Sequence, residues 1–488
     1  MKQYLYFAVC FLLASKSTMA TEHAPDSRRA VIEIDCSKSI GKMNPMLNGV
    51  NGGWLAMREY INLYKRWEEI GIPITRLHDI PWTADEAVDI RYIFPDMSKD
   101  ASDEKNYSFL PTDDFIQPIV TGSLEQRADL PTAKKNTYKT KILYRLGESI
   151  QHSRRKEKIY PPLDYEKWSD VCLGIIKHYN EGWADGYHDD IKYWEIWNEP
   201  DIRYENNTGK IGPSQWKGTD EDYYRLYEVA SLRIKQSFPN LKVGGPATSG
   251  QGKFENGEFV VDKFQAGFMA LCKAKKLPFD FYSWHTYTGD PSEYKKKAIA
   301  LRAWLDMNGY GETELILDEW NGGGDAGQDH GGVSMTGFAG FVLTSLLDSP
   351  LDGANYYCAD TNPWSMFDNW GKPRKTFYAF KAFRMLLDTP VLIEVKEIEA
   401  GKSIYAAGKN EENSEVTIML SNYQNPKATY DFKLSNLPWS GNSTIEVFVV
   451  DEKYNLECKE KHSIRRSLPV LTIKSQTSSV VVVKIKKF

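Results

Sequence analysis

The chain has 488 residues, with 61 Lys and Arg against 66 Asp and Glu, a net charge of −5, and 13% aromatic residues. That length suits a large barrel plus one smaller domain, and the mixed, slightly acidic charge without a basic stretch argues against a nucleic-acid partner. The 14 Trp and 28 Tyr suit stacking on apolar sugar faces, although large barrels also bury many aromatics.

In chain order, Lys2 and the apolar run Tyr4–Ala14 lead to Ser15–Ala20, which ends in a small-x-small pattern. This reads as a secretory signal cleaved near Ala20, giving an exported, periplasmic or extracellular protein. The run is too short to span a bilayer as a helix, and no later segment offers about 18 continuous apolar residues. Residues 21–46 contain one strand-like stretch, Ala30–Asp35.

From residue 47 to about 389, strand-like runs alternate with helical patterns. Strands are expected at Leu47–Asn51, Ile74–His78, Ile142–Gly147, Tyr193–Asn198, Lys242–Gly245, Phe279–His285, Glu314–Glu319 and Gly353–Tyr357. Helical patterns include Trp168–Tyr179, Tyr223–Phe238, Phe264–Lys275 and Gly337–Leu347. Eight such units predict an α/β fold, a (β/α)8 TIM barrel. The longest excursion, Pro81–Thr140, leaves the end of the second strand and is expected to shape a binding site. Residues 390–488 change texture to short β-branched runs separated by Asn, Gly and Pro, which predicts an accessory β-sandwich.

The chemistry concentrates at two strand ends. Tyr193-Trp194-Glu195-Ile196-Trp197-Asn198-Glu199-Pro200 and Glu314-Leu315-Ile316-Leu317-Asp318-Glu319-Trp320-Asn321 each display a glutamate where a barrel collects its catalytic groups. Paired carboxylates point to glycoside hydrolysis; retaining enzymes hold them about 5–5.5 Å apart. The acid of such a pair must hold a proton, and at Glu199 the apolar neighbours Trp197 and Pro200 favour that form. Arg76 can keep Glu319 ionised. His78, two residues on, shares its face and can meet a sugar hydroxyl; His285 and Tyr287 repeat that spacing, and Tyr287 can donate to Glu319. Glu148, Asp360 and Trp364 lie near the ends of the third and eighth strands and are pocket candidates. Trp54 and Trp320 are candidates for a stacking wall, with core packing the alternative, and Trp82 is a weaker one.

Neither cofactor nor metal is expected. The glycine cluster Asn321–Gly332 lacks the Gly-Lys-Ser/Thr ending of a phosphate loop, the histidines form no His-x-x-x-His pair, and the five cysteines beyond residue 20 form no Cys-x-x-Cys.

Five pieces in order carry a resemblance: Ile74-Thr75-Arg76-Leu77-His78-Asp79-Ile80, Tyr144-Arg145-Leu146-Gly147-Glu148-Ser149, the Trp-Asn-Glu-Pro motif, Tyr282-Ser283-Trp284-His285-Thr286-Tyr287, and Asp318-Glu319-Trp320-Asn321. Residues 47–387 resemble a clan-A glycoside hydrolase of family 39, the family of β-xylosidases and α-L-iduronidases. The resemblance implies that Glu199 is the acid/base, Glu319 the nucleophile and Asn198 a donor to the sugar 2-hydroxyl. It also implies that Ala30–Asp35 joins the C-terminal sandwich. Iduronidases carry a lysine where this chain has Tyr287, so the expectation is a neutral, xyloside-like substrate, cleaved from chain ends of plant-type or host-type glycans. A uronidase or another glycosidase of the family is the alternative; a non-catalytic carbohydrate-binding protein is the alternative of a different class.

Overall fold

The computed structural model describes residues 29–56, 61–79, 87–122, 138–150, 156–202, 215–397, 403–426, 429–465 and 470–488. The signal-peptide expectation, Trp82 and part of the Pro81–Thr140 excursion lie outside these residues. The described part of that excursion is structured, with helices at Ile90–Ile93 and Leu110–Thr121.

Eight parallel strands close a barrel: β1 (Gly49–Asn51), β2 (Ile74–Leu77), β3 (Lys141–Leu146), β4 (Tyr193–Ile196), β5 (Lys242–Thr248), β6 (Phe281–Thr286), β7 (Glu314–Trp320) and β8 (Gly353–Tyr356). Each pairs with the next in sequence, and β8 pairs with β1. A helix follows every strand. Two starts show why: Asp164 accepts from the Lys167 N–H, and Thr219 with Asp222 forms a reciprocal capping box.

Side chains alternate along a strand, so a residue's layer inside the barrel follows from its neighbours. Ile74, Leu143, Phe281 and Ile316 form an apolar plug, with Tyr193 packed against it. Two residues further along each strand, alternation places Arg76, Arg145, Glu195, Ser283 and Asp318 in the next layer, all at 0% exposure. The barrel interior is therefore apolar at one end and ionic beneath its mouth.

The C-terminal strands and Arg29–Lys42 form one continuous, curled nine-stranded sheet. Its order is Asn455–Ile464, Ser443–Val450, Ser479–Lys487, Glu415–Asn422, Ser403–Lys409, Val391–Glu397, Arg29–Lys42, Thr429–Ser435 and Leu471–Lys474. The sheet curls over a single core that includes Ile32, Ile418, Phe432, Val447, Ile473 and Val483. Arg29–Lys42 is inserted between Val391–Glu397 and Thr429–Ser435, as the family resemblance implies. Three strands escape the alternation signal. Val391–Glu397 and Leu471–Lys474 are short or abut other elements, and Asn455–Ile464 is a charged, exposed edge strand.

The opposite face of the sheet, with Met419, Val480 and Val482, joins the barrel core that includes Phe338, Val342 and Phe380. Close approach requires glycine. A Cβ at Gly340, on the helix Val333–Leu346, would lie 2.6 Å from Val480 Cγ2. One at Gly337 would press on the Asn422 carbonyl oxygen, which is backbone and cannot swing aside. Gly337→Ala is therefore expected to lower the melting temperature despite alanine's helix propensity, by about 1–3 kcal/mol of overpacking. Calorimetry checks this; a rise in Tm would refute the docking argument.

Candidate active site

Arg76 organises the barrel mouth. Its Nε lies 2.7 Å from Glu195 Oε2 and 2.9 Å from Asp318 Oδ2. Its Nη1 lies 2.9 Å from Glu319 Oε2 and donates to Asn51 Oδ1, and its Nη2 donates to Asn198 Oδ1 at 2.6 Å. One buried guanidinium from β2 thus fixes side chains from β1, β4 and β7, using the planar fork that lysine lacks.

Two local irregularities aim the glutamates. Along the β6–β7 pairing Trp284 faces Leu317 but His285 faces Glu319, leaving Asp318 as an extra residue. This bulge breaks strict alternation, so consecutive Asp318 and Glu319 both reach Arg76. Between β5 and β6, Ser283 faces Pro246 and Trp284 faces Thr248, leaving Ala247 unpaired at φ 52°. The Ala247 carbonyl accepts the Glu199 N–H at 2.8 Å, while Ser283 Oγ accepts the Ala247 N–H. Glu199 itself has φ 46° and Trp197 φ 71°. Side-chain-bearing residues seldom adopt such angles, which persist where neighbours over-determine them.

His285 joins the two glutamates. Its Nδ1 lies 3.0 Å from Glu199 Oε1 and 3.8 Å from Glu319 Oε1, and its Nε2 lies 3.6 Å from Asp318 Oδ1. Oxygen atoms of Glu199 and Glu319 approach within 4.8 Å of each other. Tyr287 donates its hydroxyl to Glu319 Oε1 at 2.6 Å.

Burial opposes charge on His285, but Glu319 and Asp318 prevail and hold its pKa well above the usual value. Burial, Arg76 and Arg145 push His78 the other way, well below, so it is a neutral ring. Glu195 is raised to about 8 by burial, against the pull of Arg76, while Asp318 is lowered to about 2 because Arg76 and His285 overcome its burial. Two cations, Arg76 and His285, face the carboxyl groups of Asp318 and Glu319. Glu319 is nevertheless raised, by burial first and by Glu199, against the pull of His285, Arg76 and Tyr287.

The spacing of Glu199, His285 and Glu319 would admit a cation. A protonated His285 offers N–H donors rather than lone pairs, so the imidazolium itself occupies the cationic place between the carboxylates.

The structure brings Glu199, Glu319, Asn198, Arg76, His78, His285 and Tyr287 together. Asn198 Nδ2 and both ring nitrogens of His78 are buried without a hydrogen-bond partner among the described residues. Trp364 is 45% exposed, stacks on His330 at 4.2 Å and meets Tyr287 edge-on at 5.9 Å. Glu148 sits by Arg91 Nε (3.5 Å), its pKa raised to about 8 by burial and then by Asp89. Asp360 accepts from Asn362 and Cys358. Two expectations need correction. Trp54 is packed against Tyr64, and Trp320 lies among Tyr294, Tyr356 and Phe380; both are buried in the core and form no stacking wall. Trp197 likewise packs on Trp168 and Trp216, so the polar partner of Glu199 is His285.

Sequence reasoning missed Glu195, Asp318, Arg145, Asp79 and Tyr357. A glutamate inside the apolar run of β4 was a usable signal for Glu195, and alternation from Ile316 was one for Asp318. Arg145 lies inside the barrel and bonds Asp89 and Ser149 through Nη2.

The chain is similar to the β-xylosidase of Geobacillus stearothermophilus, 32% identical over 136 residues that make up 27% of this chain and 23% of that relative. Similarity to the β-xylosidase of Caldicellulosiruptor saccharolyticus is lower, 23%, but extends over 467 residues, 88% of this chain and 86% of the relative. Among solved structures, a glucosidase from Croceicoccus marinus superposes with a TM-score of 0.75 at 22% identity, covering 94% of this chain and 99% of the other; at that identity the likeness speaks for the fold. The model of the glycosyl hydrolases family 39 matches residues 56–305, just over half of the chain, and the chain belongs to that family.

Proposed function

We propose that this glycoside hydrolase is a retaining, exo-acting enzyme of β-xylosidase type, exported by the signal that residues 1–20 encode. The observation that carries the reading is the separation of Glu199 and Glu319, whose oxygens come within 4.8 Å. That is the spacing for direct attack by one carboxylate, with no room for a water between the pair.

In the first step Glu199 transfers its proton to the leaving-group oxygen while Glu319 attacks the anomeric carbon. The glycosidic bond breaks and a glycosyl ester of Glu319 forms. In the second step Glu199 takes a proton from water, the hydroxide adds to the anomeric carbon, and the Glu319 carboxylate leaves. Arg76 and Tyr287 hold the two oxygens of Glu319, which orients the attack and favours the ionised form against burial. Asn198, its Oδ1 held by Arg76, presents a free Nδ2 to the sugar 2-hydroxyl, a bond that strengthens as charge develops on the ring. Xyloside-type specificity and end-wise cleavage rest on the two β-xylosidase relatives and on Tyr287 at the position of the uronidase lysine. One feature favours a second reading, a uronide: Arg145 is buried with Nε and Nη1 unpartnered among the described residues.

Proton NMR of the first-formed sugar should show retained configuration; the inverted anomer appearing first would overturn the mechanism. Glu319→Ala should lose at least about 10³-fold in kcat, with azide restoring part of it as an inverted glycosyl azide. Glu199→Ala should instead slow poor leaving groups far more than activated aryl glycosides. Interchanged azide stereochemistry would reverse the two roles.

Tyr287→Phe removes a hydrogen bond that lowers the pKa of Glu319. Activity needs the ionised form and is lost as pH falls through that pKa. The acid limb of kcat/KM should therefore move to higher pH, by roughly 0.5–1 unit. A limb that stays in place, or moves down, would show that Tyr287 does not tune the nucleophile.

Matched 4-nitrophenyl xyloside and glucuronide substrates test the sugar. The xyloside should have the larger kcat/KM, because a uronate would enter beside Glu319, where the cations Arg76 and His285 already face carboxyl groups. Faster turnover of the glucuronide would assign Arg145 to its carboxylate.

A further inference from the structure

The β8–β1–β2 side of the mouth, across the barrel from Asn198, holds polar groups that the two-step reaction does not use. Asp79 follows His78 at the end of β2 with φ 49°, a left-handed angle that a side chain other than glycine's seldom tolerates without a reason. The Ile150 N–H anchors its Oδ1 at 2.7 Å. Its Oδ2 lies 3.4 Å from the Tyr357 hydroxyl and 3.4 Å from His78 Nε2; both contacts are longer than well-formed hydrogen bonds. His78 is 1% exposed, and neither of its ring nitrogens has a hydrogen-bond partner among the described residues. Buried polar groups are nearly always satisfied, so such an arrangement calls for a partner not yet present. His78 Nε2 is 3.9 Å from Glu319 Oε2, so this wall begins about one hydroxyl's width from the attacking carboxylate.

We propose that Asp79 and Tyr357, together with His78, read the C3–C4 diol of the sugar being cleaved, and that Asp79 sets which sugars are accepted there. The inference rests on the hydrolase reading of Glu199 and Glu319 and deepens it. A neutral imidazole supplies one donor and one acceptor, a phenol supplies both, and a carboxyl adds further capacity. Together they match two adjacent hydroxyls, each of which must donate and accept. Burial, reinforced by the charge of Glu319, raises Asp79 to about 8, so near neutral pH its carboxyl is mainly an acid that can donate as well as accept. That form suits a neutral diol and adds no second anion beside the nucleophile.

Asp79→Gly separates this role from a structural one, because glycine suits the left-handed angle and removes only the side chain. The wild type, Asp79→Gly and Asp79→Asn would be assayed on the best substrate from a panel of 4-nitrophenyl glycosides and on its 2-, 3- and 4-deoxy analogues. Asp79→Gly should keep or raise Tm yet lose roughly 10–100-fold in kcat/KM on the parent, the scale of one or two lost hydrogen bonds. On the 3- or 4-deoxy analogue the wild type and Asp79→Gly should be equal within a few-fold, whereas the 2-deoxy analogue should retain the full difference. Asp79→Asn, which can still donate and accept, should stay closer to the wild type than the glycine variant. An equal loss on all three deoxy analogues would overturn the proposal, as would a fall in Tm that accounts for the lost rate. Absence of wild-type turnover on the entire panel would instead overturn the hydrolase reading, whatever these ratios.

Discussion

A guanidinium with no exposure to water sits at the centre of this barrel, and the geometry of the mouth depends on it. Removing Arg76 from solvent carries a large desolvation cost, offset only because three carboxyl groups and two amide oxygens surround it in bonding distance. The arrangement is mutual: without the arginine, Asp318 and Glu319 would be buried anions with His285 as their remaining cation. Desolvation that would ordinarily be a liability here serves rigidity. The neighbours of Arg76 come from three separate stretches of the chain, at β1, β4 and β7, so the reactive glutamate, the amide beside the other glutamate and the strand ends carrying them are held in one framework.

The same economy of charge appears one shell out. Glu195 is raised and Asp318 lowered around the same guanidinium, and His285 stands as a second cation beside Asp318 and Glu319. A step that neutralises Glu319 leaves His285 its contact with Asp318. The preorganised dipoles and charges are in place before the substrate arrives, which is how a dry site acts on developing charge.

Much of this was legible in the residues. Eight strand signals at the right spacing, the two glutamate-bearing strand ends, and the pairs Arg76–His78 and His285–Tyr287 suffice to place the mouth of a barrel and its principal groups. What stayed hidden has a common physical cause. Alternation treats a strand as regular, and the bulges at Asp318 and Ala247 are departures fixed by neighbouring strands rather than by local composition. The aromatic candidates fail differently: Trp54 and Trp320 follow or end strands near the mouth, but their side chains turn to the helical layer, and adjacency in sequence does not report direction. In the sheet, a charged edge strand such as Asn455–Ile464 lacks an apolar face to betray it.

The placement of Arg29–Lys42 has a bearing on biosynthesis. This strand is made before the barrel, yet its partners, Val391–Glu397 and Thr429–Ser435, are about 350 to 400 residues further on. The curled sheet therefore cannot assemble until the segment through Lys487 has emerged, and its closure carries the slow kinetics of very non-local contacts. The barrel strands all lie between these segments, so each βα unit can form from local pairings while the early strand waits. An unpaired strand edge during synthesis invites misassociation; Arg29–Lys42 ends in six exposed residues, Glu-free but carrying Lys38 and Lys42, which blunt that edge until its partners arrive.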